Sequence, residues 1–157
     1  MNYWLTVHWP LRFDERKNAL WRNWIFLAKG WEKSGKGIQV GDRVFIYETE
    51  SAPRTKVGNQ LIERRPGRKA IVALATVKTP LKYKHKIKPE VLEDGRERCW
   101  SYQARTHTDQ ESMLSLTELR KLLRRPGFSA RVPGGLMILK KSQFNRILHR
   151  FNQGALF

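Results

Sequence analysis

At 157 residues and 40% hydrophobic content, the chain suits one folded domain, 1–157, with a real core, and leaves little room for two. Its single cysteine, Cys99, excludes an intrachain disulfide, and no apolar run nears the roughly 20 residues of a membrane-spanning helix. The net charge of +17 points to a polyanion partner and is unevenly placed: +9 over residues 52–90 and +8 over 117–151, against +2 over 1–50 and −2 over 91–116.

The opening "NYWLTVHW" is aromatic and β-branched, ends at Pro10, and reads as a strand. It lacks the basic n-region and apolar h-region of a secretory signal, so a reducing, cytoplasmic location is expected. In "DERKNALWRNWIFLAKG", Leu20, Trp21, Trp24, Ile25, Leu27 and Ala28 recur at helical spacing. Asp14 is the expected N-cap and Gly30 the stop. "VGDRVFIYET" begins with a turn and continues as a buried strand. Residues 51–69 read as a long basic loop or hairpin tip. "AIVALATVKT" is a second buried strand and "PLKYKHKIKPEVLEDG" a second basic connection. "RCWSYQART" alternates as a strand does.

The stretch "THTDQE" (106–111) reads as a polar turn before the helix "SLTELRKLLRR", capped by Ser115 or Thr117. "GGLMILKK" is a short strand, and "SQFNRILHRF" a closing helix capped by Ser142. Adjacent strands outnumber helices. This predicts an α+β domain on a curved, mostly antiparallel sheet or open barrel, not a doubly wound α/β fold.

One stretch invites another reading. "GWEKSGKG" (30–37) fits G-x-x-x-x-G-K, but Gly37 stands where a P-loop carries Ser or Thr. A phosphate cradle also needs a strand before it and a helix after it. Here a helix is expected before and a strand after. The stretch reads better as a connection that displays Trp31.

Tyr3-Trp4-Leu5 with Pro10, Trp31 after the first helix, Val40-Gly41-Asp42 leading into Val44, Phe45 and Tyr47, "KAIVALATV", Cys99-Trp100, "SLTELRK" and "GGLMILKKSQFNRIL" succeed one another in an order that resembles the EVE-domain family. That family is PUA-like and related to YTH domains. The resemblance covers nearly the whole chain and rests on order and spacing rather than on one motif. Val7-His8-Trp9-Pro10 departs from the family's Lys-Ser-Glu-Pro, and Glu32-Lys33-Ser34-Gly35 from its Gly-Val-Arg-Asn.

The resemblance implies an EVE-like curved mixed sheet or open β-barrel flanked by helices. It implies a non-catalytic reader that takes a modified, methylated base, flipped from DNA, into an aromatic pocket. No metal, cofactor or membrane is implied. Such modules serve as specificity domains of modification-dependent restriction systems, fused to or associated with a nuclease or NTPase. The alternative is an RNA-binding PUA-like module acting on tRNA, rRNA or methylated RNA.

The expected pocket residues are Trp31, Trp9, His8, Tyr47, Glu48, Thr49, Tyr83 and Trp100. Trp31 has an alternative role packed over the core edge. Residues 47–49 have one as an ordinary strand end, and Trp100 one in the core. Trp4, Trp21 and Trp24 fit core-facing patterns. For the nucleic-acid backbone the expected contacts are Arg54, Lys56, Arg64, Arg65, Arg68, Lys69, Lys82, Lys84 and Lys86. Leu61-Ile62 would either fill the gap left by a flipped base or pack a hairpin.

A catalyst finds less support. His8, His85, His107, His149 and Cys99 show no metal-ligand spacing, and no H-x-E with C-x-x-C appears. His107, Asp109 and Glu111 are the residues a metal-dependent nuclease would use.

Overall fold

The computed structural model describes residues 1–10, 23–85, 87–131 and 135–154. Their strands are β1 (Tyr3–His8), β2 (Trp24–Leu27), β3 (Arg43–Glu48), β4 (Thr55–Val57), β5 (Gln60–Leu61), β6 (Ala70–Val77), β7 (Lys82–Tyr83), β8 (Glu90–Leu92), β9 (Glu97–Arg98), β10 (Tyr102–Ser115) and β11 (Leu136–Leu139). The helices are α1 (Leu116–Leu123) and α2 (Lys141–Gly154). The expected N-cap Asp14, Leu20, Trp21 and Lys86 lie outside the described residues.

One sheet runs β11-β1-β3-β6-β10-β2, with β7 also on β10. Only the β1–β3 pair in it is parallel. The 14-residue β10 makes the sheet curl. Its C-terminal part pairs with β6, and its first residues lie between β2 and β7. Register breaks between Thr108 and Gln110 and between Glu111 and Leu114 are the irregularities that bend such a strand. A separate small sheet, β5-β4-β8-β9, is built from the two basic connections and the two residues Glu97–Arg98 that follow the second. The architecture is thus the α+β curled sheet, a half-barrel with two helices, that the strand order predicts.

Strand alternation supplies both sides of the sheet. Tyr3, Leu5 and Val7 of β1 join the cluster that α1 and α2 cover, where Phe45 lies 5.0 Å from Phe144 and 5.5 Å from Phe151 between ring centres. Each such ring pair adds about 0.5–1.5 kcal/mol beyond its buried area. Trp4 faces the other way and packs with Ile25, Leu27, Val44, Ile46 and Val72. Its indole N–H donates to Asp42, whose buried carboxylate also accepts the backbone N–H groups of Asn2 and Gln39. The Val-Gly-Asp turn is therefore a lock on β1.

Four expectations change. Trp24–Leu27 is a strand, not a helix: Ile25 and Leu27 are buried while Trp24 and Phe26 are half-buried, and all four pair with β10. Four apolar residues satisfy a helical and an alternating pattern equally, and the pairing partner decides. Residues 106–111 are not a turn; they continue β10. The hairpin reading of residues 51–69 holds, with β4 paired to β5, but the second connection is not a plain loop, since it carries the paired strands β7 and β8. Ser142 lies inside α2 rather than capping it, and the Gln143 side chain reaches back to accept the Lys140 N–H. Ser115 does cap α1, accepting the Glu118 N–H.

Candidate nucleic-acid interface

The residues that leave β1, β2, β3 and β9 converge at one end of the sheet. Trp9 comes after β1, Trp31 after β2, Thr49 after β3, and Trp100 after β9. They line an open cavity of about 720 Å³, together with Ser51, Pro53, Arg98 and Arg131. Its floor includes Val7 and Ala28.

Trp9 is held rigidly. The Trp100 ring meets it edge-on at 5.3 Å, and the Arg64 guanidinium lies 5.0 Å from its ring centre. Arg64 also donates to the Pro10 carbonyl and to both oxygens of Glu90. Its side chain is 8% exposed and that of Glu90 2%. The Trp100 indole N–H is buried and meets no acceptor among the described residues.

Trp31 is the open wall, since it is 40% exposed and has no stacking partner among the described residues. Its backbone is nonetheless fixed. The Trp31 N–H donates to Ala28, and Ser34 N–H donates back to Trp31. Glu32 accepts the Gly30 N–H. Its own backbone N–H first, and then the Tyr102 hydroxyl, hold the Glu32 carboxyl below the usual 4.5. Burial pushes the Tyr102 hydroxyl up, with Glu32 adding to the shift.

The glycines of "GWEKSGKG" have geometric reasons. Gly30 and Gly37 take positive φ of 93° and 95°. A Cβ on Gly35 would sit 2.7 Å from Leu27 and 2.5 Å from Leu81. A strand rather than a helix does precede this stretch. After Trp31 the chain makes one 3₁₀ turn, Glu32–Gly35, and then enters β3, so no α-helix N-terminus stands there to cradle phosphate.

The other expected pocket residues are placed elsewhere. Tyr47 is buried in the helix-covered core, where burial pushes its hydroxyl up. It shares a face of the sheet with Val7, its partner on β1, but is covered by the core and does not line the cavity. Glu48 is buried and accepts the Arg68 N–H. His8 is buried beside Phe26, at 6.0 Å between rings. Tyr83 packs on Tyr102 and His85 and does not line the cavity; Tyr102 in turn bonds to Glu32 of the Trp31 turn.

The expected backbone contacts divide as well. Arg68, Lys69, Lys82 and Arg54 are exposed, although Lys69 and Arg54 lie near Glu50 and Glu93. Lys56 is also exposed, and Lys84 sits 5.8 Å from the Trp24 ring centre. Arg65 is half-buried. Arg64 is the correction: enclosed with Glu90, it supports Trp9 and is not open to phosphate. Leu61 is exposed on the small sheet, beside Arg54 and Lys56. Of the nuclease candidates, Asp109 accepts the Thr76 hydroxyl at 2.6 Å and lies 3.8 Å from Arg43.

Arg98, Pro53 and Arg131 are cavity residues that sequence reasoning missed. Arg98 carried a usable signal, since it stands two residues before Trp100 on a short strand. Arg131 carried none: it comes to the site from the α1–β11 connection.

Solved structures share this architecture. Human THYN1, in complex with 5-methylcytosine-containing DNA, matches with a TM-score of 0.58 at 11% identity, over 96% of this chain and 97% of that one. The fold is that of THYN1. A Leishmania major protein matches with a TM-score of 0.59 at 15% identity, over 98% and 96% of the two chains. A Pseudomonas putida protein matches with 0.57 at 17%, over 94% and 97%. At such identities the likeness carries the fold and no residue roles. No protein-family model matches this sequence, and no curated protein does. No helix among the described residues is long and apolar enough to cross a membrane.

Proposed function

We propose that this protein is a non-catalytic DNA-binding domain of the EVE type that reads a modified base flipped into the Trp9–Trp31–Trp100 cavity. The observation that carries the reading is the convergence of three tryptophans from three separate chain segments on one open cavity flanked by Arg98 and Arg131. Unstacking a base costs a few kcal/mol, and stacking on aromatic side chains returns about 1–3 kcal/mol per base. Two arginines at the rim favour the phosphates on either side of the extruded nucleotide.

The fold likeness to THYN1, solved with 5-methylcytosine DNA, makes methylated cytosine the first base to try. The reading needs neither metal nor cofactor. Its cellular setting would be that of a specificity domain working with a nuclease or NTPase.

The test is binding by fluorescence anisotropy to matched DNA and RNA oligonucleotides carrying cytosine, 5-methylcytosine, 5-hydroxymethylcytosine, adenine or N6-methyladenine. A preference for one modified DNA supports the proposal. Preference for a modified RNA moves the reading to RNA. Equal binding to every oligonucleotide sinks the base-reading role.

A further inference from the structure

A second cavity, of about 550 Å³, adjoins the first along the sheet edge. It lies between the 3₁₀ turn after Trp31, the α1–β11 connection and the edge strand β11. Lys33, Lys36, Arg125 and Arg131 line it, with Ser34 and Ser129 between them and Leu136 to Ile138 of β11 along one side. All four cations are exposed, and none has an ion-pair partner among the described residues. No Asp or Glu lines either cavity among those residues. Arg131 lines both, so the groove and the aromatic cavity meet at its side chain.

We propose that this groove is the track for the phosphodiester backbone of the strand that carries the extruded base. The proposal rests on the base-reading function above and names residues for it that lie outside residues 52–90. Four cations with open serine hydroxyls suit a run of phosphate oxygens. Like charges gathered in a groove that no Asp or Glu lines among the described residues repel one another until a polyanion neutralises them. The groove also starts where the chemistry requires. Lys33 stands two residues beyond Trp31, and Arg131 comes directly after the buried Ala130 that lines the aromatic cavity. Ala130 holds a positive φ of 60°, a conformation that L residues rarely adopt. That backbone kink sets Arg131 at the junction of the two cavities.

Lys33→Gln, Lys36→Gln and Arg125→Gln together remove three of the charges without touching the core or the aromatic cavity. A matched control removes three exposed cations elsewhere: Arg68→Gln, Lys69→Gln and Lys82→Gln. Both are measured by anisotropy on 5-methylcytosine and unmodified duplexes over a salt series, after circular dichroism confirms folding. The groove variant is expected to weaken both duplexes alike and to flatten the log–log salt slope by about 2 to 3, the contribution of three phosphate contacts. The control is expected to change the slope by less than half of that.

A groove variant that keeps the wild-type slope overturns the proposal, and so does a control that loses more than the groove variant. The two readings fail separately. The modified-to-unmodified affinity ratio reports the aromatic cavity, and the slope reports the groove. A wild-type ratio of one, with the slope still lost in the groove variant, would remove the base reader and keep the track.

Discussion

Residues 52–90 and 117–151 carry net charges of +9 and +8, yet the fold puts those charges to different uses. In the first block the most enclosed cation, Arg64, is neutralised by Glu90 and braces Trp9. Arg54 and Lys69 lie near acidic side chains, and Lys84 lies near Trp24. In the second block Arg146 and Arg150 of α2 bond to Leu122 and Glu118 of α1, and Arg120 ties α1 to Phe128 in the connection that follows it. Arg125 and Arg131 remain open on the groove, where they meet Lys33 and Lys36 from a segment that is nearly neutral overall. Net charge along the chain is the signal behind the proposed polyanion partner. It does not say where that partner binds, because an arginine bonded internally counts the same as one that faces solvent.

The contrast is broken most severely at the enclosed pair. Glu90→Leu leaves the Arg64 charge buried without its counter-ion, and is expected to lower stability by about 3–5 kcal/mol in urea unfolding. An exposed pair such as Arg54 with Glu93 is expected to move stability by under about 1 kcal/mol when broken. Equal effects at the two pairs would dissolve the distinction between bracing and surface charge.

Trp31→Ala removes an exposed wall that no other ring supports. It is expected to reduce binding of the modified duplex by about 5- to 150-fold, the worth of 1–3 kcal/mol of stacking, with little change in thermal stability.

The smallest effect belongs to Glu32. Its carboxyl is held low by its own backbone N–H and by the Tyr102 hydroxyl. A depressed folded-state pKa means that the contribution is present above the ordinary 4.5 and is lost as pH falls through the lower, folded value. Tryptophan fluorescence is expected to hold steady down to pH 4.5 and to change below it. Glu32→Gln is expected to abolish that change and leave the rest of the protein intact.

Much of this fold was legible from the chain because it rests on local patterns. β1, β3 and β6 are apolar runs bounded by turns, and α1 carries its own cap at Ser115. The stretch Trp24–Leu27 was not, because its strand character comes from pairing with β10 some 80 residues away. Half of the expected cavity wall, Trp9, Trp31, Thr49 and Trp100, comes together in the structure. Tyr47 and Glu48 point to opposite faces of β3 and both are buried: a position at a strand end does not reveal what will cover the side chain. Arg131 was illegible for a different reason, since only the path of the chain after α1 brings it beside Trp31.

The central claim is tested most directly by one titration: wild type and Trp31→Ala, each against a duplex with a single 5-methylcytosine and its unmodified twin. The account predicts that wild type prefers the methylated duplex. It predicts that Trp31→Ala binds both duplexes equally and retains the wild-type salt slope. A wild-type protein without preference, or a Trp31 variant that keeps the full preference, would contradict it.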